Sequence, residues 1–175
     1  MPSDRGKRVA VRMSKSEVVQ VIDDTRTMIC VTNGPDGWPH VAPLWFVRST
    51  EREVIQLLAW TYAASQKVRN LERDARATVH VEGGANYGEL QGVSLYCHVE
   101  FVTERREKLD IARAVSLKYQ DGERRPNEST CGRDHAARLS GATLKRLEGQ
   151  ADKRVGLRFV EVARASWDHR KMGTP

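Results

Sequence analysis

The chain has 175 residues, a length typical of a single domain whose core needs neither a disulfide nor a metal ion. Its 29 Lys and Arg residues exceed its 23 Asp and Glu residues, so the formal net charge of +6 favours anionic partners, among them nucleic acid, phosphorylated cofactors and acidic substrates. The basic residues are interleaved with acidic ones, the three cysteines are widely spaced, and neither a secretory signal nor a membrane-spanning run is found, so we expect a soluble, cytoplasmic protein without disulfides.

The first third of the chain predicts a short helix followed by strands. A capping box over residues 14–17 precedes a run rich in valine and predicts a helix over 15–24. A β-branched, apolar run predicts a strand over 27–32, and a segment rich in turn formers follows it. The next strand is predicted over 40–47. Pro43 within it favours the edge of a sheet, or a place where a ligand takes the position of the neighbouring strand.

The stretch from Trp60 to Arg76 predicts the end of a third strand, over 54–60, and the start of a helix. Ser65 is suited to be the N-cap, with its hydroxyl oxygen accepting from a first-turn N–H. Other first-turn amides then remain free beside Gln66 and Lys67, and with the positive end of the helix dipole they form a potential phosphate site. The same residues are also typical of an ordinary surface helix, and taken alone they do not decide between the two.

The remainder of the chain predicts three more strands and two helices. Alternation of apolar and polar residues predicts strands over 77–81 and 88–103, with His80 on a polar face. Helical spacing recurs over 109–119 and 139–147, where Gly149 is placed to end the second helix. The last strand is predicted over 154–165, with a possible bulge at Phe159-Val160. We therefore predict a mainly β (α+β) fold, a small antiparallel barrel of about six strands with peripheral helices, in one domain over 1–175.

Other kinds of site have little support in the sequence. Cys131-x-x-x-His135 is a Cys/His pair at ligand spacing, and it has no second such pair to complete a metal site. Cys30 and Cys97 fall in apolar strands, where thiols are normally inert. No dinucleotide-binding, phosphate-loop or nucleophile-elbow motif is found. The remaining candidates for general acids are histidines, each of which is more often structural: His40, His98 and His169.

Two segments resemble a known family. The first runs from Arg26-Thr27-Met28-Ile29 through residues 34–46, and the second is Ser65-Gln66-Lys67-Val68-Arg69-Asn70-Leu71-Glu72-Arg73-Asp74-Ala75-Arg76. The latter is similar to the pattern Ser-x-Lys-x-x-Asn-Leu-x-x-Asp-Pro-Arg of the split β-barrel family, which includes pyridoxamine 5′-phosphate oxidases and the flavin- and deazaflavin (coenzyme F420)-dependent oxidoreductases. With the strand over 77–81 and the closing segment over 166–171, the resemblance covers most of the chain.

The resemblance implies a homodimer with a cofactor at the subunit interface and a small-molecule substrate. It implies that the cofactor phosphate is bound by Trp60, Thr61, Ser65, Gln66 and Lys67. It implies that the ring lies along Val41, Ala42, Pro43, Leu44 and Trp45, and that Trp167 and Arg170 reach toward the partner's site. The cofactor then carries the chemistry, and no catalytic side chain is required. The helical insertion over 104–149 is longer than in the smallest members and long enough to cover the substrate pocket.

The choice of cofactor stays open at the level of sequence. We expect an oxidoreductase that uses coenzyme F420, since the chain resembles the deazaflavin branch more than true pyridoxamine phosphate oxidases. An FMN-dependent enzyme similar to those oxidases is the first alternative. A non-catalytic carrier of a cofactor, haem or tetrapyrrole is the second, and a nucleic-acid-binding module is the third and least favoured.

Overall fold

The computed structural model describes residues 11–51, 53–120 and 139–172. Within these ranges six strands form the barrel: β1 (Thr27–Asn33), β2 (Pro39–Ser49), β3 (Gln56–Tyr62), β4 (Arg76–Gly83), β5 (Gln91–Val102) and β6 (Arg154–Asp168). The α-helices are α1 (Lys15–Asp24), α2 (Gln66–Arg73), α3 (Arg105–Gln120) and α4 (Gly141–Gln150). Three short 3₁₀ segments lie at Tyr87–Glu89, Ala151–Lys153 and His169–Met172.

The strands close an antiparallel barrel in the order β1-β2-β3-β6-β5-β4, and this confirms the predicted fold class. Alternate residues of each strand face the interior, as in β1, where Met28, Cys30 and Thr32 are buried while their neighbours are not. The interior side chains form one continuous core that includes Phe46, Leu57 and Phe159. None of the helices in the described residues is both long and apolar enough to span a bilayer.

Helix α1 has the predicted bounds, and its capping box is formed as predicted at its start. The Ser14 hydroxyl accepts a hydrogen bond from the Glu17 amide at 3.3 Å, and the Ser14 amide donates to the Glu17 carboxylate at 2.7 Å. Two orphan donors of the first turn are thereby satisfied. The apolar side of the helix, with Val18 and Ile22 fully buried, packs into the barrel core.

Several strand boundaries differ from the predicted ones; β6, for example, runs on to Asp168 and not to Ala165, and β3 and β5 begin later than predicted. The third strand begins at Gln56 and not at Val54, whose side chain is 44% exposed, and it continues to Tyr62. The fifth strand begins only at Gln91, because residues 87–89 form a 3₁₀ turn. In both places polar or glycine-rich residues flank the strand, and pairing with the neighbouring strands decides where it starts.

The predicted bulge at Phe159-Val160 is wrong. Phe159 is fully buried and pairs regularly with Leu57 on one side and Val99 on the other. The register shift lies further along β6, where Tyr96 pairs with Ala163 and Cys97 with Glu161, which leaves Val162 without a partner residue. The bulge is set by pairing with β5 and is not visible in the local pattern of β6.

The helical insertion lies on the outside of the barrel. Helix α3 contacts β2, β3 and β6 through a cluster that contains Val102, Ile111, Val115 and Tyr119, and α4 packs on α3. Gly149 does not end α4, because the helix runs on to Gln150 and passes directly into the 3₁₀ turn at Ala151–Lys153. The polar link over 121–133, with Cys131, and also His135 lie outside the described residues.

Candidate functional site

The barrel is split between β2 and β3. β3 pairs only with Phe46–Ser49, so the first half of β2 has a strand neighbour on the β1 side alone. Continuing the same register would set Pro43 opposite Tyr62, but the pairing ends at Phe46 and Ala59. Pro43 has no N–H to offer, and its place at a free edge agrees with the prediction from the proline. The two segments predicted to bind a cofactor therefore lie on either side of this split.

The predicted residues of β2 divide between the two faces of the strand. Val41 and Trp45, 57% and 58% exposed, point outward together with Pro43. Ala42 and Leu44 point toward the barrel interior. Only three side chains of the set, and the free edge of the backbone, are accessible to a ligand on the outer face.

Helix α3 contacts one end of the row of outward side chains on β2, which consists of Val41, Pro43 and Trp45. The Tyr119 ring stacks on Trp45 with 4.3 Å between the ring centroids and 10° between their planes. The Tyr119 hydroxyl also accepts a hydrogen bond from the Phe46 amide at 3.2 Å, beyond the point where β1 begins. The indole of Trp45 is thus held in place from one side and exposed on the other.

Lys67 is a half-buried cation at the start of α2. Its Nζ donates to the Thr61 hydroxyl at 3.2 Å, and Thr61 is itself buried. Burial lowers the pKa of Lys67, and no carboxylate of the described residues forms a salt bridge with it. Nearby, burial raises the pKa of the Cys30 thiol to about 12, although the charge of Lys67 acts in the opposite direction. The positive charge at this position is therefore uncompensated within the described chain.

Ser65 is the N-cap of α2, but the predicted hydrogen bond from its side chain is absent. Its carbonyl oxygen accepts from the amides of Val68 and Arg69, while its hydroxyl oxygen is buried without a partner among the described residues. As the first residues of the helix, Gln66 and Lys67 have amides with no intrahelical acceptor. The prediction of a hydroxyl cap is wrong, and the start of α2 keeps more free polar groups than expected.

The side chain of Gln66 is engaged elsewhere. Its amide donates to Asn70 at 2.9 Å, and Asn70 in turn donates to the Thr32 hydroxyl at 3.0 Å. Asn70 is 0% exposed and Thr32 is 1% exposed, so this chain of hydrogen bonds fixes α2 against β1 from within. The sequence pattern contains Asn70, but its role as the anchor of the helix was not predicted.

Trp60 lies on the opposite face of β3 from Thr61. Its ring packs against the clusters under α3 and α4, so its side chain does not meet Lys67. Arg154, which opens β6, crosses this face with its guanidinium carbon 4.5 Å from the Trp60 ring centroid and 4.0 Å from that of Tyr62. Neither Arg154 nor Tyr62 belongs to the residues predicted for the site.

Trp167 and Arg170 lie at the far end of β6 from α2. Trp167 pairs with Gly92 and stacks on His80, and Arg170 donates to Asp168 and to Gln91. A hydrogen bond from Arg170 lowers the pKa of Asp168. Within one chain the structure does not bring these two residues to the start of α2. Their predicted contact with a partner's site stays a prediction.

A groove of about 660 Å³ lies on the outer face beside β2. It spans β1, β4, β5 and β6, and its described lining contains none of the predicted binding residues. The lining residues are Val31, Asn33, Arg76, Ala77, Thr78, Tyr96, Cys97, His98 and Val162. Since Val31 pairs with Val41, the groove is continuous with the exposed row of β2.

The remaining candidates for chemistry are the two strand cysteines and the histidines. Cys30 and Cys97 are 1% and 4% exposed, and burial raises the pKa of Cys97 to about 12, so both are poor nucleophiles at neutral pH. His98 is exposed on β5, and His169 contacts the carbonyl of Tyr87 at 2.9 Å. In the ranges that the structure covers, no group of three or more His, Cys, Asp or Glu residues is placed to hold a metal ion.

A barrel that opens between two strands beside a basic helix start defines a split β-barrel protein. The family model described as pyridoxamine 5′-phosphate oxidase matches residues 14–139, and the chain belongs to this family. A solved structure of the conserved hypothetical protein Rv2991 from Mycobacterium tuberculosis is 30% identical, with 96% of this chain and 92% of that chain covered and a TM-score of 0.78.

Two further solved structures share the fold at low identity. One, described as an F420 reductase, is 16% identical, with 83% of this chain and 94% of that chain covered and a TM-score of 0.56. The other is HutZ, the heme storage protein from Vibrio cholerae, which is 11% identical, with 88% and 93% covered and a TM-score of 0.60. No curated protein matches the chain.

Proposed function

We propose that the protein is an oxidoreductase that binds coenzyme F420 and transfers a hydride to or from a small organic substrate. The deazaflavin, when bound, supplies the hydride chemistry, and the protein binds it, orients it and excludes water. The observation that supports this proposal most is the half-buried Lys67, which has no carboxylate partner in the part of the chain that the structure describes and lies beside the split between β2 and β3.

The start of α2 suits a phosphate group. Among the described residues the Ser65 hydroxyl has no partner, and Lys67 keeps further N–H donors beyond the one that it gives to Thr61. The first-turn amides have no intrahelical acceptor, and the first turn of the helix contains no acidic residue. The helix dipole adds a further favourable charge at this end. A phosphate here would compensate the cation that burial now disfavours, and it would accept from Lys67 in a charge-assisted hydrogen bond.

The outer face of β2 suits an aromatic ring. Val41, Pro43 and Trp45 present an apolar row, and the free backbone edge beside them offers hydrogen bonds to the polar edge of a ring system. Tyr119 holds the Trp45 indole in a fixed orientation. A ring bound along this row extends from the phosphate at α2 across the split.

We further propose that a second copy of the chain covers this face. Exposed apolar side chains lie on β2, at Val41 and Trp45, and again on β5 and β6, at Tyr96 and Val162. Exposed apolar side chains grouped in this way are typical of interaction surfaces. A homodimer would enclose the ring between the subunits, and it would give Trp167 and Arg170 a partner's site to reach.

The identity of the bound cofactor distinguishes the proposed function from its alternatives. FMN has a similar ring and one phosphate, and the likeness of the fold to HutZ makes a haem or tetrapyrrole carrier the second candidate. A net charge of +6 fits either anionic cofactor.

The experiment is a set of titrations of the purified protein with F420, FMN and haem, followed by turnover on quinones and enones. Binding of F420 with quenching of its fluorescence, and with turnover, supports the proposal. Yellow protein with an FMN spectrum would instead favour the flavin enzyme, and tight haem binding without turnover would favour the carrier. Sedimentation of the loaded protein tests the dimer, since the cofactor should travel with a species of twice the 19.8 kDa chain mass.

A further inference from the structure

The guanidinium of Arg154, on the outer face of β3, is unusual in its contacts. Its guanidinium carbon lies over two aromatic rings, 4.5 Å from the centroid of Trp60 and 4.0 Å from that of Tyr62. Its Nε is buried and has no hydrogen-bond partner among the described residues. Stacking on aromatic faces stabilises the cation but leaves the N–H edge of the guanidinium free for an acceptor.

The other half-buried arginines that the structure describes are each paired with a carboxylate. These are Arg48 with Asp23, Arg113 with Asp110, Arg158 with Glu100 and Glu107, and Arg164 with Glu161. Arg154 forms no such salt bridge with any described residue. A half-buried charge that has no counter-charge among the described residues is favourably placed to bind an anionic ligand.

Arg154 borders the same turn as Lys67. It pairs with Tyr62, the Ala63 amide donates to the carbonyl of Lys153, and the Ser65 amide donates to that of Tyr62. Lys108 fixes the start of β6 by donating to the carbonyl of Arg154 at 3.2 Å. The position of Arg154 beside the turn is therefore set by backbone contacts.

The two cations, neither of which is paired with a carboxylate of the described residues, lie on opposite faces of β3. Lys67 contacts Thr61, which faces the barrel interior, whereas Arg154 lies over Trp60 and Tyr62 on the outer face. A single phosphate at the start of α2 would engage Lys67 and would leave Arg154 without an anion. Only a ligand with a further anionic group beyond that phosphate would engage both cations.

We propose that Arg154 is a second anion-binding residue of this site, which takes a carboxylate or phosphate that follows the first phosphate along an extended polyanionic tail. This inference rests on the proposed function and deepens it, since it distinguishes the longer tail of F420 from the single phosphate of FMN. The planar guanidinium binds such groups in a bidentate manner, which a lysine cannot do.

The test compares Arg154→Met and Arg154→Lys with a matched control, Lys145→Met, on the exposed face of α4. Each protein is titrated by calorimetry with F420, with FMN and with triglutamate as an anion that carries no ring. Arg154→Met should weaken F420 binding about 10- to 100-fold, as expected for hydrogen bonds to charged groups, and FMN binding less than about 3-fold. Arg154→Lys should fall between the wild type and Arg154→Met, and Lys145→Met should bind as the wild type does.

Equal F420 affinity of Arg154→Met and Lys145→Met would overturn the inference. An equal loss of F420 and FMN affinity would overturn it too, because Arg154 would then act on the shared phosphate or on the fold. Arg154→Lys keeps the charge and provides the decisive comparison if Arg154→Met does not fold. Failure of the proposed function has a different signature: the wild type would not bind F420 but would still bind triglutamate in an Arg154-dependent manner. A wild type that binds neither F420 nor triglutamate would overturn both proposals.

Discussion

Asn70 anchors the proposed phosphate site, and its replacement by alanine tests that role. The side chain is 0% exposed, accepts from Gln66 at 2.9 Å and donates to Thr32 at 3.0 Å. In Asn70→Ala, solvent can satisfy the exposed Gln66, but the hydroxyl oxygen of Thr32, which is 1% exposed, loses its donor. An unsatisfied buried group costs about 1–3 kcal/mol, and a void of methyl size or larger adds about 1 kcal/mol.

We therefore expect Asn70→Ala to lower the free energy of unfolding by about 2–4 kcal/mol, which corresponds to a fall in Tm of about 4–16 °C for a chain of this size. The assay is urea denaturation followed by tryptophan fluorescence, with thermal melts in parallel. Arg69→Ala is the matched control, since Arg69 is exposed on the same helix and should change stability by less than about 0.5 kcal/mol. An Asn70→Ala protein as stable as this control would refute the anchoring role.

Two further predictions concern packing and pH. Gly92→Ala should lower the free energy of unfolding by about 1–3 kcal/mol, because a Cβ at Gly92 would lie 2.3 Å from Cζ2 of Trp167. The control is Gly88→Ala, since a Cβ at Gly88 would have no atom within 4 Å. Equal midpoints of urea denaturation for the two variants would contradict the close packing of Gly92 on Trp167. Burial, with smaller effects from Arg26 and Arg48, lowers the pKa of Lys118 from 10.5 to about 8. Between about pH 8 and pH 10.5 the unfolded chain binds more protons at this lysine, so the stability of the wild type relative to Lys118→Met should rise with pH across this window. The check is to measure the unfolding free energies of the wild type, Lys118→Met and Lys145→Met across this pH range. The prediction would be contradicted if the difference between the wild type and Lys118→Met changed with pH as little as the difference between the wild type and Lys145→Met.

Features that depend on neighbouring residues in sequence could be predicted. The bounds of α1 follow from its capping box and apolar spacing alone. The edge character of the first half of β2 follows from Pro43, and the burial of Cys30 follows from its position in an apolar strand. In each case the physical cause lies within a few residues of the position itself.

Features that depend on pairing between distant strands could not be predicted. The bulge lies at Val162 because of the register of β5 against β6, and this is not encoded in the local pattern of either strand. Trp60 and Thr61 are assigned to one site because the strand is predicted to end at Trp60, but β3 runs on to Tyr62, and alternation sends the two side chains to opposite faces. The extension of the strand follows from its pairing with β6, which reaches Tyr62.

The two residues that the sequence did not predict for the proposed site, Asn70 and Arg154, were missed for the same reason. Asn70 acts through Thr32, and Arg154 acts through Trp60 and Tyr62, which precede it by more than ninety residues in sequence. Nothing near Arg154 in sequence distinguishes it from the other arginines of the chain. Its position over Trp60 and Tyr62 does so, together with the lack of a carboxylate partner among the described residues.

The most direct test of the proposed site is the affinity of Lys67→Ala for F420, measured by calorimetry beside the wild type and Arg69→Ala. The loss of a charge-assisted hydrogen bond to phosphate should cost about 1.5–3 kcal/mol, or about 10- to 160-fold in Kd, while Arg69→Ala should bind as the wild type does. Unchanged affinity of Lys67→Ala, in a protein that retains its fold, would contradict the assignment of the start of α2 as the phosphate site.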